Sequence, residues 1–322
     1  MDVFLTSPWI PAEWIRAHGL QPRGLWAAEN LQGGAWPLSA GDCAFAEAVV
    51  RFAEARTDSA VIFSKACDQL RRGFDAVVLH GQGRAFLFNL PATWQTAAAG
   101  QIFRSELERL GQFLLSIGGR APPAEALRQD MLRSSRTRTR LLESAPASSP
   151  RGFAEAVARF HGDGSFSPPP PDAPTTQIPL ALVGGPFPAP HWKLLDELEA
   201  AGGRVALNAT ETGERSLSPA FEFEGGANHP FDALVRGYCD HIIDVFQRPN
   251  TRLYSWLKPR LASRGARGIV LWHFTGCDLW RAEAQTLRET FGLPVLLLEA
   301  SGEAGAAPRE RNRLQAFVET LR

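Results

Sequence analysis

The sequence predicts an α/β protein with an N-terminal α/β region, a helical segment and a C-terminal α/β region. Three observations predict it. Apolar runs of strand length alternate with amphipathic helix-period runs, most regularly from Ile178 onward. A stretch of purely helical period fills residues 97 to about 160, and a proline run, Ser167-Pro168-Pro169-Pro170-Pro171-Asp172, separates the two patterns. The 322 residues, 44% hydrophobic and 21% charged, suffice for two domains. The expected division is residues 1–96, 97–166 and 167–322.

Taken in order, Val3 to Thr6 is a short apolar start, and Pro11-Ala12-Glu13-Trp14-Ile15 opens a helix with proline and acid in its first turn. Gly19 ends it. Gly41-Asp42-Cys43 opens a helical run from Ala44 to Arg56. The apolar run Ser59 to Phe63 stops at small and polar residues, and a helix then starts with Cys67 in its first turn. The Gly81-Gln82-Gly83 break leads to a strand over Ala85 to Leu90. Ile102, Phe103, Leu107, Leu110, Phe113, Leu114 and Ile117 recur at helix spacing, closed by Gly118-Gly119. A second helix, Glu125 to Leu142, carries Arg133, Arg136, Arg138 and Arg140, which read as a solvated face rather than a phosphate site.

Beyond the prolines, strand and helix patterns alternate. They run over Ile178 to Val183, His191 to Ala200, Arg204 to Asn208, Phe231 to Phe246, Ile269 to Phe274, Leu279 to Thr290 and Pro294 to Leu298. That order argues for a mainly parallel sheet with helices on both faces, binding its ligand beyond the carboxyl ends of the strands. Thr275-Gly276-Cys277-Asp278 falls at such an end. No internal repeat of 20 to 50 residues is visible. The halves share only a strand, small residues, Cys-Asp, helix theme.

Composition narrows the function. Lysine plus arginine equals aspartate plus glutamate at 34 each, which gives no basic excess for nucleic acid or an anionic membrane. Met1 to Trp9 lacks a basic start and a long apolar core, and no window approaches roughly 18 uninterrupted apolar residues, so a cytoplasmic protein is expected. Four cysteines in so long a chain make no disulfide framework.

Three of those cysteines, Cys43, Cys67 and Cys277, sit at predicted helix N-termini, where free N–H groups and the positive helix end are expected to lower a thiol's pKa. Three such ends meeting at one point suit a negatively charged metal cluster; the alternative is three buried structural thiols. Zinc fits poorly, because no C-x-x-C or clustered histidine supplies four close ligands. An iron–sulfur cluster with three thiolates and one open iron fits better. Cys239 reads as a mid-helix core thiol. Glu13 is the carboxylate singled out, either for proton transfer or for a plain helix-dipole role. His191, His273 and the turn Val183-Gly184-Gly185-Pro186 read as structural.

With these residues in place the chain resembles the 2-hydroxyacyl-CoA dehydratase D-component family, which includes the related benzoyl-CoA reductase subunits. The resemblance runs through P-A-E-W-I-R-A-H-G-L-Q-P-R, G-D-C-A-F, C-D-Q-L-R-R, F-N-L-P-A-T-W, V-G-G-P and L-E-A-A-G-G-R-V-A-L-N. It continues through G-I-V-L-W-H-F-T-G-C-D, G-L-P-V-L-L-L-E and N-R-L-Q-A-F-V-E, although Ala44 stands where a proline is usual. The resemblance implies two Rossmann-like domains with parallel sheets, and one 4Fe-4S cluster between them ligated by Cys43, Cys67 and Cys277. It further implies a CoA-thioester substrate, a related second subunit or a homodimer, and a separate ATP-hydrolysing iron–sulfur activator that injects one low-potential electron. The electron makes a ketyl radical on the thioester, for dehydration or reduction. An electron-relay subunit without its own substrate site is the alternative.

Overall fold

The structure, a computed structural model, describes residues 1–27, 31, 43–81, 83–172, 175–217, 221, 229–300 and 308–322. Gly41, Asp42 and Gln82, used in the sequence reading, lie outside the described residues.

The first sheet contains β1 (Asp2–Leu5), β2 (Gln21–Gly24), β3 (Ala60–Ser64) and β4 (Arg84–Phe88), in the order β2-β1-β3-β4 with every pair parallel. Its connections carry α1 (Ala12–Ala17), α2 (Ala44–Ala55) and α3 (Asp68–His80). Then come α4 (Ala97–Ser116), α5 (Ala124–Ser144) and α6 (Pro150–Asp163), the expected helical segment between the sheets. The second sheet, β5 (Ile178–Gly184), β6 (Gly203–Thr210), β7 (Gly268–Phe274) and β8 (Val295–Ala300), repeats the all-parallel order as β6-β5-β7-β8. Around it lie α7 (Lys193–Ala200), α8 (Pro230–Cys239), α9 (Thr251–Ser263), α10 (Asp278–Phe291) and α11 (Pro308–Thr320).

Both sheets are therefore Rossmann-like, and each is covered on both faces. Strand side chains alternate between faces with period two. Val3, Leu5, Ala60 and Ile62 accordingly join one apolar cluster, whereas Phe4, Val61 and Phe63 join another. The same split divides Ala181, Val183, Ile269 and Leu271 from Leu180, Leu182, Val270 and Trp272. Inner strands buried on both sides need continuous apolar sequence, which is what made β3, β5 and β7 legible.

Three elements went unexpected. Strand β2, Q-P-R-G, is a four-residue edge strand containing Pro22, with no apolar alternation to announce it. Helices α9 and α11 bury only part of a surface that is otherwise polar. The run expected to stay helical from Phe231 to Phe246 stops at Cys239, and residues 240–250 are irregular.

The proline run is tied down. Ser149 N–H donates to the Pro170 carbonyl at 3.2 Å, Asp172 N–H donates to that of Ala147 at 2.7 Å, and Arg204 pairs with Asp172. In each sheet the strand order reverses between the first and third strands, β1 and β3 or β5 and β7. The carboxyl ends of those pairs are the places where parallel sheets of this kind hold ligands.

Candidate functional site

Cys67 follows β3 and its two-residue turn, and caps α3 with an extended backbone (φ −149°, ψ 163°); its Sγ accepts from Leu70 N–H at 3.5 Å. Cys277 follows β7 in the same way and caps α10. Gly276 before it has φ +79°, a left-handed conformation that glycine adopts without a Cβ penalty and that turns the chain into the cap. Cys43 caps α2, and the next residue, Ala44, donates its N–H to the Thr275 carbonyl at 3.3 Å, joining the start of α2 to the Cys277 turn. Cys67 and Cys277 thus occupy the same place in the two sheets, the topological counterpart of the strand, small residues, Cys-Asp, helix theme that the halves share.

All three cysteines line one cavity of about 450 Å³, with Lys65, Gln69 and Asp278 among its other walls. They also line an adjoining recess of about 50 Å³, walled by Gly185, Glu211, Asp244 and Trp280. No disulfide links them.

The lowered thiol pKa expected at a helix start does not occur. Burial pushes Cys67 up to about 12 against the pull of the Leu70 N–H, and the neighbouring Cys43 adds to the rise. Burial pushes Cys277 to about 12 as well, with Cys43 and Cys67 adding to it against the Trp280 N–H. Both residues keep some surface of their own, yet burial is the first cause of each shift. Desolvation outweighs one turn of helix dipole, which is typically worth 0.3–1 kcal/mol. A cation among the thiols would reverse this balance, because metal binding displaces the thiol protons.

Among the described residues, no three His, Cys, Asp or Glu side chains are grouped closely enough to hold a single metal ion. The three thiols stand around a cavity instead. Three sulfur donors spread over a cavity wall fit a group of several metal atoms, each thiolate taking its own.

Cys239 is the last residue of α8, not mid-helix; it is buried, pushed up to about 11 by burial and then by Asp240, and lines neither cavity. Glu13 is also apart from the cysteines and lines neither cavity. It is fully buried; Oε2 accepts from the Tyr238 hydroxyl at 2.6 Å and Oε1 lies 2.8 Å from Arg138 Nη2. That second contact is off the hydrogen-bonding direction, since Nη2 donates to Tyr238 Oη at 2.8 Å and Oε1 accepts no bond, so it acts through charge. Arg138 in turn corrects the reading of the arginine run. Arg133, Arg136 and Arg140 are exposed as expected, but Arg138 is 4% exposed and pairs with Glu13.

His191 is a core residue: its ring packs on Trp272 and Phe274, and burial lowers it to about 4. Val183 to Pro186 is a plain turn. Gly184 (φ +153°) passes so close to β7 that a Cβ would lie 1.9 Å from the Trp272 oxygen, and its own carbonyl accepts from Glu211 N–H at 3.0 Å.

Sequence reasoning missed Ser7, Glu211, Arg215 and Asp244. Arg215 is fully buried, stacks on Trp280 and donates to the carbonyls of Ala209, Ile243 and Gly184 and to Asp244 Oδ2. It locks the end of β6 to the turn at Asp244. Burial, and then the Asp244 charge, push Glu211 up to about 8. The segment Thr210-Glu211-Thr212-Gly213-Glu214-Arg215 reads in sequence as a solvated turn, and nothing local marks it as interior.

The family model described as 2-hydroxyglutaryl-CoA dehydratase, D-component, matches residues 9–158 and 165–321. No curated protein matches the chain. Among solved structures, the SBP FpvC from Pseudomonas aeruginosa in complex with Mn2+ aligns over 100% of this chain and 97% of its own at 10% identity, with a TM-score of 0.24, too low to carry an argument.

Proposed function

The chain belongs to the 2-hydroxyglutaryl-CoA dehydratase D-component family, and on that premise we propose that it is the iron–sulfur component of a 2-hydroxyacyl-CoA dehydratase or a related acyl-CoA reductase. Membership makes it a dehydratase-type component. The observation that carries the finer reading is that Cys43, Cys67 and Cys277, from three separate segments, cap three helices around one cavity.

These three residues would hold a 4Fe-4S cluster, which when bound supplies one low-potential electron to a thioester carbonyl. The chemistry needs it because an α-hydroxyl is a poor leaving group and the β-hydrogen is not acidic. A thioester reduced by one electron to its ketyl expels hydroxide, then gives up a β-proton and returns the electron, so the net reaction is loss of water. The chain's own part is to enclose this step. Phe246, Ala92 and Leu279 wall the cavity with apolar surface, and at about 450 Å³ it falls in the usual range for small-molecule sites. Lys65 is the one cation among the described lining residues and offsets negative charge at the mouth. The partners proposed are an ATP-hydrolysing iron–sulfur activator and a related subunit or second copy.

Anaerobic reconstitution with iron and sulfide tests this. The protein should turn brown and hold about four irons per chain. Cys43→Ala, Cys67→Ala and Cys277→Ala should each lose or degrade the cluster, while Cys239→Ala keeps it. A colourless, iron-free wild type ends the proposal. Loaded protein should also bind a CoA thioester in equilibrium dialysis; a cluster without such binding would identify an electron relay instead.

A further inference from the structure

We propose that Glu211 supplies the fourth ligand of the cluster, a carboxylate oxygen beside the thiolates of Cys43, Cys67 and Cys277. This rests on the proposed cluster, and it replaces an open iron with one closed by the chain itself.

The three cysteines leave one position of a cubane without a protein ligand, and the recess they share contains two carboxylates, Glu211 and Asp244. These differ in what they have left to offer. Asp244 Oδ2 accepts from Arg215 Nη1 at 2.8 Å, and Oδ1 faces the Phe246 N–H at 3.4 Å. Both of its oxygens are engaged. Glu211 is 8% exposed, and its Oε1 accepts from the Ser7 hydroxyl at 2.7 Å. Its Oε2 accepts no hydrogen bond among the described residues, so one oxygen of a carboxylate that lines the recess with the three cysteines is uncommitted.

The position of Glu211 is built. Its N–H reaches the carbonyls of both Gly184 and Gly185, at 3.0 and 3.2 Å, at the end of β5. Ser7, fully buried just beyond β1, orients the carboxylate from the other sheet and also faces Trp9 N–H at 3.4 Å. A carboxylate held at the backbone from one sheet and at one oxygen from the other has little rotational freedom to lose on ligation. It brings a hard oxygen donor to a site otherwise made of soft sulfur, so one iron would differ from the other three.

The test uses the full chain, reconstituted anaerobically with iron and sulfide and examined by iron analysis, Mössbauer spectroscopy and EPR. Wild type should show one iron with a distinct, oxygen-ligated signature, and isotopically labelled water should add no coupling to it. Glu211→Gln, nearly equal in shape, should lose about one iron per chain and give the three-iron EPR signature after mild oxidation. Glu211→Cys should restore the full iron content with four equivalent thiolate sites. The proposal is overturned if Glu211→Gln keeps the wild-type iron content and Mössbauer spectrum, or if labelled water couples to the distinct iron of wild type. The water measurement needs no variant to fold. A wild type that takes up no iron at all overturns the cluster itself, a result separable from either of these.

Discussion

Burial alone would raise the carboxyl of Glu13, yet Arg138, Arg16 and the Tyr238 hydroxyl together outweigh it and hold the group at about 2. A buried acid this strongly ionised is poorly matched to proton transfer near neutral pH, where a useful group sits close to the working pH. We assign Glu13 a structural role: it neutralises Arg138 and ties α1 to α5 and α8. The sign of its pH effect follows from the direction of the shift. A depressed carboxyl stabilises the fold fully above its ordinary 4.5 and loses that contribution as pH falls through about 2. Glu13→Gln should therefore cost on the order of 3 kcal/mol at pH 7 in urea unfolding while iron uptake is retained. The gap to wild type should narrow below about pH 4. A variant as stable as wild type that loses only turnover would restore the catalytic reading.

At the scale of single elements, the helix starts do the positioning. Each cysteine is a cap residue, so the direction in which its helix enters decides where its sulfur points. For Cys277 that direction depends on Gly276 at φ +79°. Gly276→Ala should cost roughly 1–2 kcal/mol from the left-handed strain. It should also weaken cluster retention, read as faster loss of visible absorbance under a chelator. Unchanged retention would mean that the turn tolerates a Cβ and that the cap geometry is held by α10 itself. The contrast between β7 and β2 shows why one element was legible and another not. Gly268–Phe274 is buried along its whole length and must be apolar, whereas Q-P-R-G pairs with β1 through its backbone and carries no apolar pattern of its own.

Across the whole molecule, the two sheets are joined at their carboxyl ends by bonds that cross from one to the other. Ser7 reaches Glu211, Ala44 N–H reaches Thr275, Gln247 Nε2 donates to the Pro91 carbonyl at 3.1 Å, and Arg248 N–H donates to that of Ala92 at 2.8 Å. A cluster held by Cys43 and Cys67 from the first half and Cys277 from the second would add a further crosslink of this kind. A group that binds only the folded chain stabilises it by about 4 kcal/mol at a thousandfold excess over its Kd. The loaded protein should accordingly melt higher than the cluster-free protein by about 10 °C, checked anaerobically by calorimetry before and after chelation. No shift would mean that the cysteines do not bridge the halves through a bound group. No helix among the described residues is long and apolar enough to cross a membrane.

By itself the sequence determined the α/β class, the inner strands, the three cysteines at helix starts and the family, because each rests on local pattern: period, punctuation and motif order. Tertiary structure alone decided what those groups experience. The Cys67 and Cys277 thiols proved raised rather than lowered, because the protein packed around them desolvates them more than a helix end can repay. Glu13 became an ion pair because Arg138, 125 positions further along the chain, is buried while Arg133, Arg136 and Arg140 of the same run are exposed. Glu211 entered the cysteine site because the end of β6 is folded against the end of β5 and locked there by Arg215. Burial and long-range charge are properties of a surface closed over by distant segments, and no window of sequence contains them.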